Sequence, residues 1–259
     1  MKHDRELDVD ERVAFFRKFS VHQGSRVVLD TGILGGFDFS ALLKPGTLHG
    51  PELQDTLSAE CALLDELRTI FREGGFVFPQ EVREEYKLMT KHLESNGRYN
   101  GEHGWYSPMI RARRRLFDDL PRVRELVPKS ILPYTEFIDE TVIDISREVY
   151  ESNPALKNAR ETKKGLAAHA LDDEHILAKG FALSYGAPVR VVSSDRDFVA
   201  IYRGIALNTD RFIQNSIPSL PDNPFELIFI GLRGSTELFD FTRVRRYHTY
   251  KNGEASGGN

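Results

Sequence analysis

The stretch that most constrains the fold is Leu166–Phe198, LAAHALDDEHILAKGFALSYGAPVRVVSSDRDF. A helical pattern, a glycine-containing turn, a β-branched run and an acidic loop follow one another in it. Leu166, Ala170, Asp173, Leu177 and Phe181 fall at helical spacing and share one face. Gly186 and Pro188 stop that helix. Val189, Val191 and Val192 suit an interior strand of a parallel sheet. The strand runs straight into Ser193, Ser194, Asp195, Arg196 and Asp197. A carboxylate on a core-facing stripe, followed by carboxylates at a strand's C-terminal end, needs partners, and a cation is the obvious one.

The rest of the chain repeats the alternation of strand and helix. A short amphipathic piece around Val13, Phe15, Phe16 and Phe19 reads as a helix packed on the outside of the domain. Arg26-Val27-Val28-Leu29 is a buried strand that ends on Asp30-Thr31-Gly32, and glycines and prolines make residues 32–51 loop-rich. A helix spans Pro51–Glu73, stopped by Gly74-Gly75, and Phe76-Val77-Phe78 is a second strand. Pro79 opens a helix whose face carries Val82, Tyr86, Met89 and Leu93. Residues 95–108 read as a glycine- and aromatic-rich loop, and residues 109–165 as helical with breaks at Pro121, Pro128, Pro133 and Pro154. Arg196–Tyr202 reads as a short helix, Ile205-Ala206-Leu207 as a strand, and Phe225–Leu232 as the last strand. Strands separated by helices predict an α/β fold with a mainly parallel sheet.

In such a sheet the strand C-termini line one edge, where ligands bind. Asp30 and Asp195 each follow a strand directly, so both are expected at one crevice. Glu85 lies beside the apolar stripe of its helix, Asp173 on the sheet-facing side of its own, and Asp197 two residues beyond Asp195. Carboxylates converging without Lys or Arg in the same motifs repel one another, and an all-oxygen site suits Mg²⁺ or Mn²⁺.

Four motifs in order carry a resemblance: strand-Asp30-Thr31, then Pro79-x-x-Val82-x-x-Glu85, then Asp173-x-x-Ile176-x-Ala178, then Ser193-x-Asp195-x-Asp197-Phe198. This set resembles the PIN domain, a family of metal-dependent ribonucleases, over about residues 25–90 and 160–210. The resemblance implies a three-layer α/β/α core of residues 25–94 and 160–232 around a central, mainly parallel sheet. It implies an acidic quartet of Asp30, Glu85, Asp173 and Asp195 holding Mg²⁺ or Mn²⁺, with Asp197 as a further catalytic residue, and RNA as substrate. Ser193 stands where the family often has Thr, which keeps the hydroxyl. The segment between the second and third motifs is longer than in compact members, which implies a helical insertion at 95–159. An N-terminal helical extension (1–24) and a basic C-terminal extension (233–259) with a disordered tail flank the core.

Other readings fare worse. A single Asp-Thr-Gly does not make an aspartic protease, and no GxGxxG or GxxxxGK[ST] supports a phosphate loop. His169, Asp172 and His175 read as solvated helix residues. Cys61 is the only cysteine, which excludes an intrachain disulfide and a cysteine zinc site. A charged N-terminus and the lack of any membrane-length apolar run predict a cytoplasmic chain with no membrane partner. A catalytically inactive RNA- or protein-binding module is the alternative, and the repulsive carboxylate set argues against it. A toxin paired with an antitoxin is a third reading, against which the long insertion argues. A homodimer, an antitoxin or another protein partner is compatible with these readings.

The net charge of −4 gives no global nucleic-acid signature, so any RNA surface must be local. Between Arg98 and Lys129, eight basic residues face four acidic ones, an excess of +4. Arg111, Arg114, Arg115 and Arg122 point away from the apolar stripe of Ile110, Leu116, Phe117, Leu120 and Val123, and they are the candidate RNA contacts. The bland reading pairs Arg114 with Asp118 and Arg115 with Asp119 along a helix. Trp105 and Tyr106 could stack on bases, but aromatics in such a loop more often pack locally.

Overall fold

Two hydrophobic units divide the chain between Arg122 and Val123. The structure is a computed structural model, and it describes residues 9–20, 24–37, 48–99, 103–164, 171–214, 217, 219–231 and 235–241.

The first unit contains α1 (Val9–Arg17), β1 (Arg26–Leu29), α2 (Thr31–Phe37), α3 (Gly50–Glu73), β2 (Phe76–Val77), α4 (Gln80–Tyr99) and α5 (His103–Arg115). β1 and β2 pair in parallel, with Val27 opposite Phe76 and Val28 opposite Val77. Leu53, Leu57, Leu63, Leu64, Leu67, Ile70 and Phe71 recur at helical spacing along α3, and all are buried. Gly75, at φ +76°, makes the left-handed turn that takes the chain from α3 into β2. Phe71 is the hub of the core, with Phe16, Phe76 and Phe78 ring centroids 5.6, 4.9 and 4.8 Å away. Arg113 and Glu60 form a fully buried ion pair at 2.5 Å, and the guanidinium lies over the Tyr86 ring at 4.2 Å.

The second unit contains α6 (Val123–Leu126), a 3₁₀ turn (Leu132–Tyr134), α7 (Thr135–Ser152), α8 (Pro154–Lys164), α9 (Asp172–Leu183), β3 (Val189–Ser193), α10 (Arg196–Leu207), α11 (Thr209–Gln214), β4 (Phe225–Ile230) and β5 (Thr236–Asp240). β3 and β4 are parallel, with Val191 opposite Leu227, and β5 lies antiparallel to β4. The core is built from Ile138, Val142 and Ile145 of α7, Leu177 and Phe181 of α9, Ile201 and Ile205 of α10, and Val191 and Leu227. Tyr202 ties α10 to the strands, its hydroxyl donating to the carbonyls of Phe225 (2.5 Å) and Phe239 (3.0 Å). With helices between parallel-paired strands in both units, the chain is an α/β protein whose strands pair mainly in parallel.

Four expectations are corrected. Residues 103–108 are helical, and α4 continues to Tyr99. Gly97 is not a helix breaker there: a Cβ on it would lie 2.8 Å from the Tyr106 ring, so glycine lets α4 and α5 approach. Thr31–Phe37 is helical rather than loop. Ile205-Ala206-Leu207 is the last turn of α10, because Phe198, Ile201, Tyr202 and Ile205 form one continuous buried face. β5 occupies part of the expected basic C-terminal extension and carries Glu237 and Asp240, while the basic residues from Arg243 onward, with the tail, lie outside the described residues. Leu166, His169 and Ala170 also lie outside them. Among the described residues no helix is long and apolar enough to cross a membrane.

Candidate metal centre

The site grows from the C-terminal end of β3. Ser193 is fully buried, and its Oγ accepts the backbone N–H of Asp195 at 2.9 Å. That bond turns the chain out of the strand. Asp195 is extended (φ −91°, ψ 129°) and is the N-cap of α10, its Oδ1 accepting the N–H of Asp197 at 3.2 Å. Asp197 therefore sits in the first turn of α10, buried at 5% exposure. Asp173 comes from the first turn of α9, buried at 7% exposure. Gly180 brings α9 close to the strands: a Cβ there would meet Val191 Cγ2 at 2.9 Å and the Phe225 ring at 3.1 Å.

Carboxylate oxygens of Asp173, Asp195 and Asp197 lie within 4.8 Å of one another. Like charges this close, on side chains largely removed from water, repel unless a proton or a cation intervenes. The donors are all hard carboxylate oxygens, with no imidazole or thiolate among them. That chemistry fits Mg²⁺ or Mn²⁺. Helix N-termini also favour carboxylates, so part of the arrangement is explained by capping and dipole alone.

Behind the cluster lies a polar network with no counterpart in the sequence reading. Glu174, next to Asp173, is 1% exposed. It accepts from Arg160 Nη1 at 2.7 Å and from Ser146 Oγ at 2.7 Å. Burial alone would raise the Glu174 pKa, but the bonds from Arg160 and Ser146 and the guanidinium charge together hold it below the ordinary value. The Arg160 guanidinium lies 4.6 Å from the Tyr150 ring centroid. Periodicity could not reveal Glu174 or Arg160. The only local signal is Ser146 and Tyr150 at i,i+4 on α7.

The other expected site residues belong to the first unit. Asp30 follows β1, is half-buried, and its carbonyl accepts the Ile33 N–H at 3.1 Å to open α2. Glu85 is exposed on α4, whereas Glu81, one turn earlier, is half-buried with a solvent-inaccessible Oε2. Asp30 and Glu85 lie in the first unit, and the group formed by Asp173, Asp195 and Asp197 lies in the second. His175 is half-buried rather than solvated, with Nδ1 3.3 Å from Asp139 Oδ1.

The basic segment is less free than its composition implied. Arg113 is consumed by Glu60, and Arg114 bonds Glu94 at 2.6 Å. The expected pairs of Arg114 with Asp118 and Arg115 with Asp119 do not form. α5 ends at Arg115, so both aspartates lie beyond the helix, and Asp119 bonds Arg68 instead. Arg111, Arg115 and Arg122 are exposed, and Arg111 reaches Ser107 Oγ at 3.3 Å. Tyr106 is buried and Trp105 is 42% exposed.

Comparison with protein-family models, curated proteins and solved structures found no match to this chain.

Proposed function

We propose that the chain is a metal-dependent endoribonuclease of PIN-like type, with a three-layer α/β/α core and a helical insertion. One observation carries the reading: Asp173 at the start of α9, and Asp195 and Asp197 at the start of α10, present carboxylate oxygens within 4.8 Å of one another. The resemblance to the PIN family, carried by the four acidic motifs, supports RNA as the substrate. A bound Mg²⁺ or Mn²⁺ ion would supply an activated water and neutralise charge on the phosphate in phosphodiester hydrolysis. Asp173 and Asp197 would bind it from two helix N-termini. Asp195 would share its carboxylate between the ion and the α10 cap. No nucleophilic side chain is required, so Cys61 stays outside the chemistry.

In this reading Asp30 and Glu85 complete the acidic set on the resemblance alone. The exposure of Glu85 weighs against it, and Glu81, one turn earlier, is the better-buried carboxylate. The cap formed by Asp195 favours a second reading, in which the aspartates only terminate helices and the chain is a non-catalytic binding module.

The test incubates purified protein with pooled RNA in Mg²⁺, Mn²⁺ or EDTA, beside the Asp173→Asn, Asp30→Asn, Glu81→Gln and Glu85→Gln variants. Metal-dependent cleavage that disappears in Asp173→Asn is expected. Metal-independent cleavage, or none with no cation-induced rise in melting temperature, would remove the nuclease reading.

A further inference from the structure

Tyr150 lies near the end of α7, one turn after the Ser146 that bonds Glu174. It is 8% exposed, and its hydroxyl oxygen is inaccessible to water and has no hydrogen-bond partner among the described residues. An unsatisfied buried donor is costly, and in a folded protein it calls for an explanation. Burial raises the Tyr150 pKa, and the charge of Asp197 raises it further, with Glu174 and Asp173 adding to the rise against Arg160. The phenol is therefore a neutral O–H donor that feels the charges of Asp197, Glu174 and Asp173.

The neighbouring acceptors have other duties. Glu174 Oε1 already receives Arg160 and Ser146, and Asp195 Oδ1 receives the Asp197 amide. Arg160 covers one face of the Tyr150 ring and fixes it. What remains is a held donor, without a partner among the described residues, whose ring lies under the Arg160 that binds Glu174, the neighbour of Asp173. An oxygen arriving with a ligand would satisfy it.

We propose that Tyr150 is a positioning residue of the metal centre, its hydroxyl donating a hydrogen bond to a water carried by a divalent cation between Asp173 and Asp197. This rests on the reading of the carboxylate cluster as a metal site. The donor would fix the orientation of that water in a partly dry pocket, as outer hydrogen bonds do in other metal centres.

The experiment titrates Mn²⁺ into wild type, Tyr150→Phe and Asp195→Asn, following free Mn²⁺ by electron paramagnetic resonance and stability by thermal melting. Without metal, Tyr150→Phe should melt at or above wild type, because it deletes a donor that nothing satisfies. With Mn²⁺ it should bind about three- to tenfold more weakly, the fold-change equivalent to one lost hydrogen bond. Unchanged Mn²⁺ affinity in Tyr150→Phe, with binding lost in Asp195→Asn, would overturn the role of Tyr150 and leave the metal site standing. A lower metal-free melting temperature in Tyr150→Phe would also overturn it, since the hydroxyl would then serve the fold. No Mn²⁺ binding by wild type would overturn both readings together.

Discussion

Asp195 caps the helix that carries Asp197, its Oδ1 accepting the Asp197 N–H at 3.2 Å. The bond gives one carboxylate two separable duties, and two substitutions separate them. Asparagine is as good an N-cap as aspartate but removes a charge from a repulsive group. Asp195→Asn is therefore expected to match or exceed the metal-free stability of wild type, and to lose most of the Mn²⁺-induced rise in melting temperature. Asp195→Ala should lose that rise and also about 1 kcal/mol of metal-free stability, the usual cost of deleting a cap. Melting curves with and without Mn²⁺ check both. A full Mn²⁺ response in Asp195→Asn would make the residue a cap and nothing more.

Glu174 and Arg160 make a buried ion pair whose removal should be expensive. Taking away one partner strands a charge in a site of low dielectric, typically at about 3–5 kcal/mol. Glu174→Gln leaves the Arg160 guanidinium so stranded, and a loss of that size is expected in urea unfolding at neutral pH. The Glu174 pKa is depressed on folding, so its contribution is fully present above the ordinary value of 4.5 and is lost as pH falls through the lower folded value. The stability gap between wild type and Glu174→Gln should therefore be full at pH 7 and shrink in acid below pH 4.5. A gap that stays constant down to pH 3 would mean that the carboxylate charge is not what stabilises the pair.

Some of this site could be read from the sequence and some could not. Asp173 was legible because it shares a helical face with Leu177 and Phe181, and all three are buried. Asp195 and Asp197 were legible because they lie just after the strand that contains Val191 and Val192. Arg160 and Ser146 were not, because their bonds to Glu174 join separate helices across 14 to 28 residues, a distance that periodicity does not encode. Ile205-Ala206-Leu207 was misread because three consecutive apolar residues carry no period of their own. β5 was missed because its positions are exposed or half-buried, without the alternation that marks a strand with one face on a core. Residues 95–99 and 103–108 were misread because Gly97 looks like a breaker, although its role is to admit the Tyr106 ring.

Gly180 offers a test of how tightly the site depends on packing. In an open helix, glycine to alanine is favourable by roughly 0.5–1 kcal/mol. Here the added Cβ would fall 2.9 Å from Val191 Cγ2 and 3.1 Å from the Phe225 ring, both in the core. Overpacking of this kind costs about 1–3 kcal/mol, so Gly180→Ala is expected to destabilise on balance. Pushing α9 off the strands would also displace Asp173, so the Mn²⁺-induced melting shift should fall with it. Urea unfolding beside Mn²⁺ titration reads both effects. A stabilised variant would mean that α9 has room the structure does not show.

A cluster of carboxylates repels phosphate, so in the proposed nuclease reading RNA would have to be drawn to the protein by positive charge elsewhere on its surface. The excess of basic residues between Arg98 and Lys129 was the first candidate, and the structure narrows it. Arg113 is buried against Glu60 and Arg114 is held by Glu94. Arg111 and Arg115 are exposed on α5, and the expected partner of Arg115 is taken by Arg68. Each phosphate contact releases counterions, and for single strands each contributes about 0.7 to the slope of log affinity against log salt. Replacing both Arg111 and Arg115 by alanine should weaken RNA binding at low salt and flatten that slope by about 1.4. The Mn²⁺-induced melting shift should be unchanged, since neither arginine belongs to the carboxylate cluster. Arg114→Ala is the internal control: its guanidinium already serves Glu94, so its loss should move stability slightly and the salt slope little. Affinities measured at several salt concentrations decide the matter. An unchanged slope in the double variant would mean that phosphate is recognised by other residues.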